Sequence, residues 1–122
     1  MSIPVVRPFQ GAPARLQNRI VTTDQSLLVP SDVTELTAQV FFGGRLVKTL
    51  TIDADDVLFS TLQVANGWSR DAIGYNFEYV VAGDAFKHEG GRQYTLEFKA
   101  VTLAEPVKWS WILHYQPWNG VQ

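Results

Sequence analysis

The sequence predicts an all-β protein in which two sheets pack face to face as a sandwich. The clearest indication is the segment 107–115, where every second residue from Val107 to Tyr115 is large and apolar. Side chains alternate between the two faces of a strand, so a second sheet or another subunit must cover this apolar face. Segment 92–101 alternates in the same way, which indicates a second strand that is buried on one face.

The N-terminal residues 1–17 are predicted to form an extended arm. Pro4, Pro8 and Pro13 each fix φ and remove a backbone donor, so this stretch is not expected to form a hydrogen-bonded ladder of its own. The arm is nevertheless rich in apolar side chains. A frayed tail and an arm that docks on a neighbouring subunit are both consistent with this pattern.

The middle of the chain reads as strands joined by turns. Residues 18–23 and 34–42 are predicted strands, and Gly43 and Gly44 then supply the turn of a tight hairpin whose second strand is 45–51. Residues 53–62 have helical spacing behind an acidic first turn, which predicts a helix of one or two turns.

A further strand is predicted at 75–81, followed by turns that lead into the two strands described first. The sandwich domain is therefore expected to span residues 18–115, and residues 116–122 form a C-terminal tail.

Composition excludes several classes of function. A chain of 122 residues is one domain, and its net charge of −2 disfavours direct binding to nucleic acid. The absence of cysteine excludes disulfides and zinc–thiolate sites. No stretch has the pattern of a signal peptide or a membrane span, so we expect a protein made in the cytoplasm. Charged residues make up only 18% of the chain, which suggests that part of the surface is covered by a partner.

No catalytic, metal or cofactor site is predicted. His88 and His114 have no ligand neighbour at a suitable spacing and are interpreted as surface or hydrogen-bonded histidines. Asp53 and the two aspartates that follow it resemble a cation site only superficially, and capping of the predicted helix explains them better. We therefore expect a protein that is not an enzyme.

The tryptophans allow two interpretations. Trp68, Trp109, Trp111 and Trp118, with Tyr115, could stack against sugar rings. Alternation places Trp109 and Trp111 on the face of Val107 and Leu113, however, which favours core packing. Trp118 lies beyond the last strand and is a candidate anchor at a subunit interface.

Several segments resemble small proteins encoded in phage-like gene clusters of bacteria. They are 57–63, 71–77, 85–86 and 90–98, together with Trp68. The succession of strands over residues 18–115 is also similar to the immunoglobulin-like N-terminal domain of upper-baseplate proteins from tailed phages. The resemblance implies an immunoglobulin-like antiparallel sandwich and a structural role in a virion.

The predicted function is therefore that of a phage structural protein located in the virion. A head decoration, or cement, protein that clamps capsid subunits is the first expectation, and a tail or baseplate subunit is the alternative. A carbohydrate-binding module is the competing class. Expected partners are other virion proteins and further copies of the chain. The predicted interface residues are apolar and lie in the two terminal segments: Ile3, Val5, Val6, Phe9 and Trp118.

Overall fold

The computed structural model describes residues 3–9, 11–83, 85 and 92–116. The strands in this part of the chain are β1 (Val5–Val6), β2 (Ala14–Asn18), β3 (Val33–Phe42), β4 (Arg45–Ile52), β5 (Leu58–Gln63), β6 (Tyr75–Val81), β7 (Gln93–Thr102) and β8 (Val107–His114). A short helix, α1 (Ala54–Val57), and a 3₁₀ turn (Pro30–Asp32) lie between strands. The predicted all-β architecture with one short helix is confirmed.

The strands form a five-stranded sheet in the order β1-β8-β7-β3-β4 and a three-stranded sheet in the order β2-β6-β5. With β2 taken as strand B, these orders contain the G-F-C-C′ and B-E-D arrangements of an immunoglobulin sandwich. Immunoglobulin-like topology is thus reached without the cysteine pair of antibody domains. Antibody domains carry these cysteines on strands B and F, which correspond to β2 and β7. On these two strands, Leu16 and Leu96 point inward and are fully buried.

Aromatic rings fill the centre of the core between the two sheets. Phe77 on β6 meets Phe98 on β7 and Trp109 on β8, each at a centroid distance of 5.0 Å and nearly edge to face. Phe98 and Trp109 are cross-strand neighbours and stack at 5.7 Å. Such pairs contribute roughly 0.5–1.5 kcal/mol each beyond the area they bury.

The predicted strands at 34–42, 45–51, 75–81, 92–101 and 107–115 agree with β3, β4, β6, β7 and β8 to within one residue at each end. The turn between β3 and β4 uses Gly43 and Gly44 at φ of +61° and +79°. Positive φ at both central residues is the requirement of a type I′ hairpin, which glycine meets without steric cost.

The first strand of the sandwich begins earlier than the sequence predicted. β2 covers Ala14–Asn18 and pairs antiparallel with β6, so the expected boundary between arm and domain at residues 17 and 18 falls inside a strand. In the predicted strand 18–23, only Asn18 belongs to β2. Ala14 and Leu16 are buried opposite Val81 and Tyr79, and this inward alternation begins immediately after Pro13.

The predicted helix over 53–62 is reduced to a single turn. Asp53 caps it by accepting the Asp55 N–H at 3.0 Å, which confirms the capping interpretation of the aspartates. Leu58 already has extended φ and ψ angles and begins β5. Val57 and Leu58 are both buried in the core, and a sharp change from helix to strand allows two adjacent side chains to do this.

A buried amide holds the segment between β2 and β3 against β6. Asn76 has no exposed surface, and its side chain accepts the Ile20 N–H at 2.6 Å. The same amide donates to the carbonyls of Ile20 at 2.9 Å and Leu28 at 2.8 Å. This loop is therefore fastened to the scaffold at two points.

Candidate interaction surfaces

The N-terminal segment lies along an edge of the protein's own five-stranded sheet. Val5 and Val6 pair in parallel with Ile112 and Leu113 of β8. The carbonyl of Pro4 accepts the Ile112 N–H at 2.9 Å, and that of Pro8 accepts the Gln116 N–H at 2.8 Å. The prediction of an arm without a ladder is therefore wrong for this segment. Proline lacks a donor but keeps its carbonyl, so it can still accept hydrogen bonds from an edge strand.

The predicted interface residues of this segment point in two directions. Val6 is half-buried and packs against the core, so its side chain stabilises the fold. Ile3, Val5 and Phe9 are exposed by 45%, 39% and 50%, respectively. These three side chains remain candidates for contact with a partner, while Trp118 lies outside the described residues.

A row of five residues, four of them apolar, crosses the outer face of the five-stranded sheet. Register places Val5 beside Ile112, Ile112 beside Thr95, Thr95 beside Phe41, and Phe41 beside Leu46. We call these five residues the outer row. The row contains one residue from each of the five strands, and its two ends, Val5 and Leu46, are 39% and 51% exposed.

Polar residues flank the outer row on both sides. Gln39, Glu97 and Ser110 form the next cross-strand line on one side. Gln93 and His114 are paired on the other side. An apolar centre with a polar margin is the usual composition of a protein–protein interface.

Strand alternation alone places Phe41 and Ile112 on the outward faces of their strands, but it does not link them. Leu46 could have been found, because a two-residue turn at Gly43 and Gly44 sets Phe41 opposite Leu46. The contribution of Val5 could not have been predicted, because no sequence pattern indicates that the N-terminal segment pairs in parallel with β8. Val80 is also outward and apolar, but it lies on the other sheet.

Tryptophan burial separates the two interpretations of the aromatic residues. Trp109 and Trp111 are 9% and 6% exposed, and Tyr115 is fully buried, so the core interpretation is confirmed for them. Trp111 also donates its indole N–H to Asn18 at 2.5 Å. Trp109 and Trp111 therefore do not form an exposed platform for a sugar ring.

Trp68 is half-buried in the loop between β5 and β6. Its ring and that of Trp111 flank the guanidinium of Arg70, at 5.2 Å and 5.6 Å from the two ring centroids. A cation over an indole face is attracted by the ring quadrupole. Arg70 thus lies within cation–π range of both indoles.

Asp71 organises this loop. Its carboxylate accepts the N–H groups of Gly74 and Ile73 at 3.0 Å each, the Arg19 guanidinium at 2.9 Å and the Trp68 indole at 3.2 Å. The hydrogen bond from Gly74, followed by that from Arg19, lowers the pKa of Asp71 to about 2. The loop therefore depends on an ionised carboxylate.

A second carboxylate, that of Glu78 on β6, lies on the outer face of the three-stranded sheet. Burial opposes ionisation of Glu78, but hydrogen bonds donated by Gln17, Arg15 and Asn66 outweigh it and hold the pKa of Glu78 below its ordinary value. Arg15 and Gln17 on β2 lie 3.0 Å and 2.8 Å from the carboxylate. Glu78, Arg15, Gln17 and Asn66 thus belong to one network of hydrogen bonds.

The described residues contain no group of three or more histidines, cysteines, aspartates and glutamates placed to hold a metal ion. In the same part of the chain, no helix has the length and apolar character needed to cross a membrane. His114 lies on the outer face beside Gln93, and His88 lies outside the described residues. Searches of family models, curated proteins and solved structures find no match to this chain.

Proposed function

We propose that the protein is a non-enzymatic structural subunit of a tailed-phage virion. In this proposal the outer face of its five-stranded sheet attaches to neighbouring subunits. The observation that carries it is the outer row, which crosses all five strands with four apolar side chains around Thr95 and has exposed residues at both ends. Exposed apolar side chains grouped on one face of a small domain favour a contact with another protein.

The position of the N-terminal segment supports attachment by this face. Val5 extends the outer row by one strand, and Ile3 and Phe9 are exposed before and after it. The edge of β8 is already paired with this segment, and β4 presents Lys48 on the inward side opposite Val40. An inward charge at an edge strand discourages strand addition, so a face contact is favoured over extension of the sheet.

Decoration of the phage head is the specific role proposed, in line with the resemblance to phage-cluster proteins. A decoration subunit binds by area to a repeated protein surface, and the outer row with its polar margin has that composition. A tail or baseplate subunit would use the same surface, so the two locations differ in partner and not in mechanism.

Co-sedimentation tests the proposal. Purified protein is mixed with heads, and separately with tails, from the phage or prophage that encodes it. The double variant Val5→Ser/Leu46→Ser removes the two exposed ends of the outer row. The control Val64→Ser/Val80→Ser removes comparably exposed residues elsewhere.

Wild type and control should pellet with heads, and the outer-row variant should lose at least about 90% of this binding with an unchanged melting curve. Two or three lost apolar contacts correspond to tenfold or more in affinity. Binding to tails alone would move the subunit to the tail. Failure of the wild type to bind either particle, or equal binding by both variants, would refute the proposal.

A further inference from the structure

A cleft opens at one end of the sandwich, away from the outer row. It lies between the segment that joins β2 to β3 and the turn that joins β7 to β8, and its volume is about 530 Å³. Loops at the end of a rigid sandwich are favourable places for binding, because the sheets hold them in fixed relative positions.

The turn between β7 and β8 is held in shape by its own hydrogen bonds. The Thr102 hydroxyl donates to the Glu105 carbonyl at 2.8 Å and accepts the Ala104 N–H at 3.2 Å. The Thr23 hydroxyl donates to the Glu105 carboxylate and so ties this turn to the facing loop. Both walls of the cleft are therefore pre-organised, which lowers the entropic cost of binding.

Leu103 projects from this turn at the margin of the cleft and is 96% exposed. No other large apolar side chain among the described residues is as exposed. Covering an exposed leucine on a turn of fixed shape removes apolar surface from water, which favours binding. Leu103 is thus suited to act as an anchor.

The cleft beside Leu103 is acidic. Asp24, Asp32 and Glu105 line it, and no lysine, arginine or histidine of the described residues does so. Both ion pairs found among the described residues lie elsewhere, at Glu78 and Asp71. The Thr22 hydroxyl, which donates to the carboxylate, and the N–H of Ser26 lower the pKa of Asp24, so it is ionised at neutral pH.

We propose that this cleft docks a segment of another protein that carries basic side chains next to an apolar residue. The basic groups would neutralise the three carboxylates, and the apolar residue would cover Leu103. Charge complementarity of this kind mainly sets specificity and association rate. The site is separate from the outer row and stands whether or not the proposed virion role is correct.

The test is a titration of the ¹⁵N-labelled protein with the peptide acetyl-Lys-Leu-Arg-Leu-amide, followed by NMR. Amide shifts should be confined to residues 22–26, 31–32 and 102–107, and binding should weaken as NaCl is raised. The matched peptide acetyl-Glu-Leu-Glu-Leu-amide should cause no shifts in these segments. An equal response to the acidic peptide, no response to the basic one, or shifts spread over the whole surface would overturn the proposal.

Variants assign the binding to the cleft. Asp24→Asn/Asp32→Asn/Glu105→Gln should bind the basic peptide about tenfold more weakly, as expected for the loss of the ion pairs made by its two basic side chains. The control Asp55→Asn/Asp56→Asn/Glu97→Gln changes the net charge equally and should bind as wild type does. Equal weakening by both triple variants would show a non-specific charge effect and contradict the proposal.

The anchor is tested in the same titration. Leu103→Ser should weaken peptide binding at least threefold, whereas Val47→Ser, an exposed apolar residue on β4, should have no effect. Melting curves recorded for every variant separate loss of binding from loss of structure. Unchanged binding by Leu103→Ser would remove the apolar half of the proposal.

Discussion

Asn76→Ala should be among the most damaging single substitutions in this protein. The side chain is fully buried and makes three hydrogen bonds to the backbone of the segment between β2 and β3. The Ile20 carbonyl also accepts the Leu28 N–H at 3.0 Å, so it keeps a partner in the variant. Two groups lose their recorded partner, the Ile20 N–H and the Leu28 carbonyl.

Each unsatisfied buried backbone group costs roughly 1–3 kcal/mol, so the two together should lower the free energy of unfolding by about 4 kcal/mol. For a domain of this size, 1 kcal/mol corresponds to about 4 °C in Tm, and the expected fall is about 15 °C. Asn76→Asp should cost at least as much, because an ionised carboxylate can accept the Ile20 N–H but cannot donate to a carbonyl.

Urea unfolding followed by circular dichroism measures this change. The control is Gln39→Ala, which truncates another amide side chain, one that is exposed on β3. The control should cost less than about 1 kcal/mol. A loss in Asn76→Ala no larger than that in the control would refute the reasoning, because it would mean that the two backbone groups find other partners.

Three further predictions concern the loop before β6 and the core. The pKa of Asp71 is lowered to about 2 from its ordinary 3.8, so its stabilising effect is present above pH 4 and is lost as pH falls towards 2. Asp71→Asn should therefore flatten the acid dependence of urea unfolding between pH 4 and pH 2, and an unchanged dependence would contradict this. Gly74→Ala should lower the free energy of unfolding by at least about 2 kcal/mol, because the new Cβ would lie 2.4 Å from the Gln63 carbonyl oxygen and the residue has a φ of +109°. Thermal melting measures this loss, and an unchanged Tm would be evidence against this loop geometry. Trp111→Phe should lower the free energy of unfolding, measured with urea, by about 1–3 kcal/mol, because the Asn18 amide oxygen loses the indole N–H that donates to it at 2.5 Å. A change near zero would mean that this hydrogen bond does not contribute to stability.

The strands that alternate strictly could be predicted from sequence, and β6, β7 and β8 are examples. Their pattern reflects burial on one face, which is a local property of the residues. The helical spacing of Val57, Leu58 and Leu62 predicts a helix through residues that in fact form β5. Only the tertiary position of Leu58 against Phe77 shows that the chain is extended there.

The candidate surfaces were harder to predict, because each of them is made by residues distant in sequence. The outer row depends on the register of five strands, and one of these is a pairing between residues 5 and 112. The cleft joins residues around 24 to residues around 105. A pattern within a single segment does not show which distant segment it contacts. Gly43 and Gly44, in contrast, specify a local turn, and that turn is predicted correctly.

The pairing of β1 with β8 also constrains how the chain can fold. Arg7 and Gln116 are hydrogen-bonded across 109 positions, so this edge forms only after the residues up to Gln116 have been synthesised. Contacts between distant residues require the closure of long loops and slow the folding of β proteins. Until the last strand has emerged from the ribosome, Val5 and Val6 have no strand to pair with. Docking of the N-terminal segment should therefore be one of the final steps of folding.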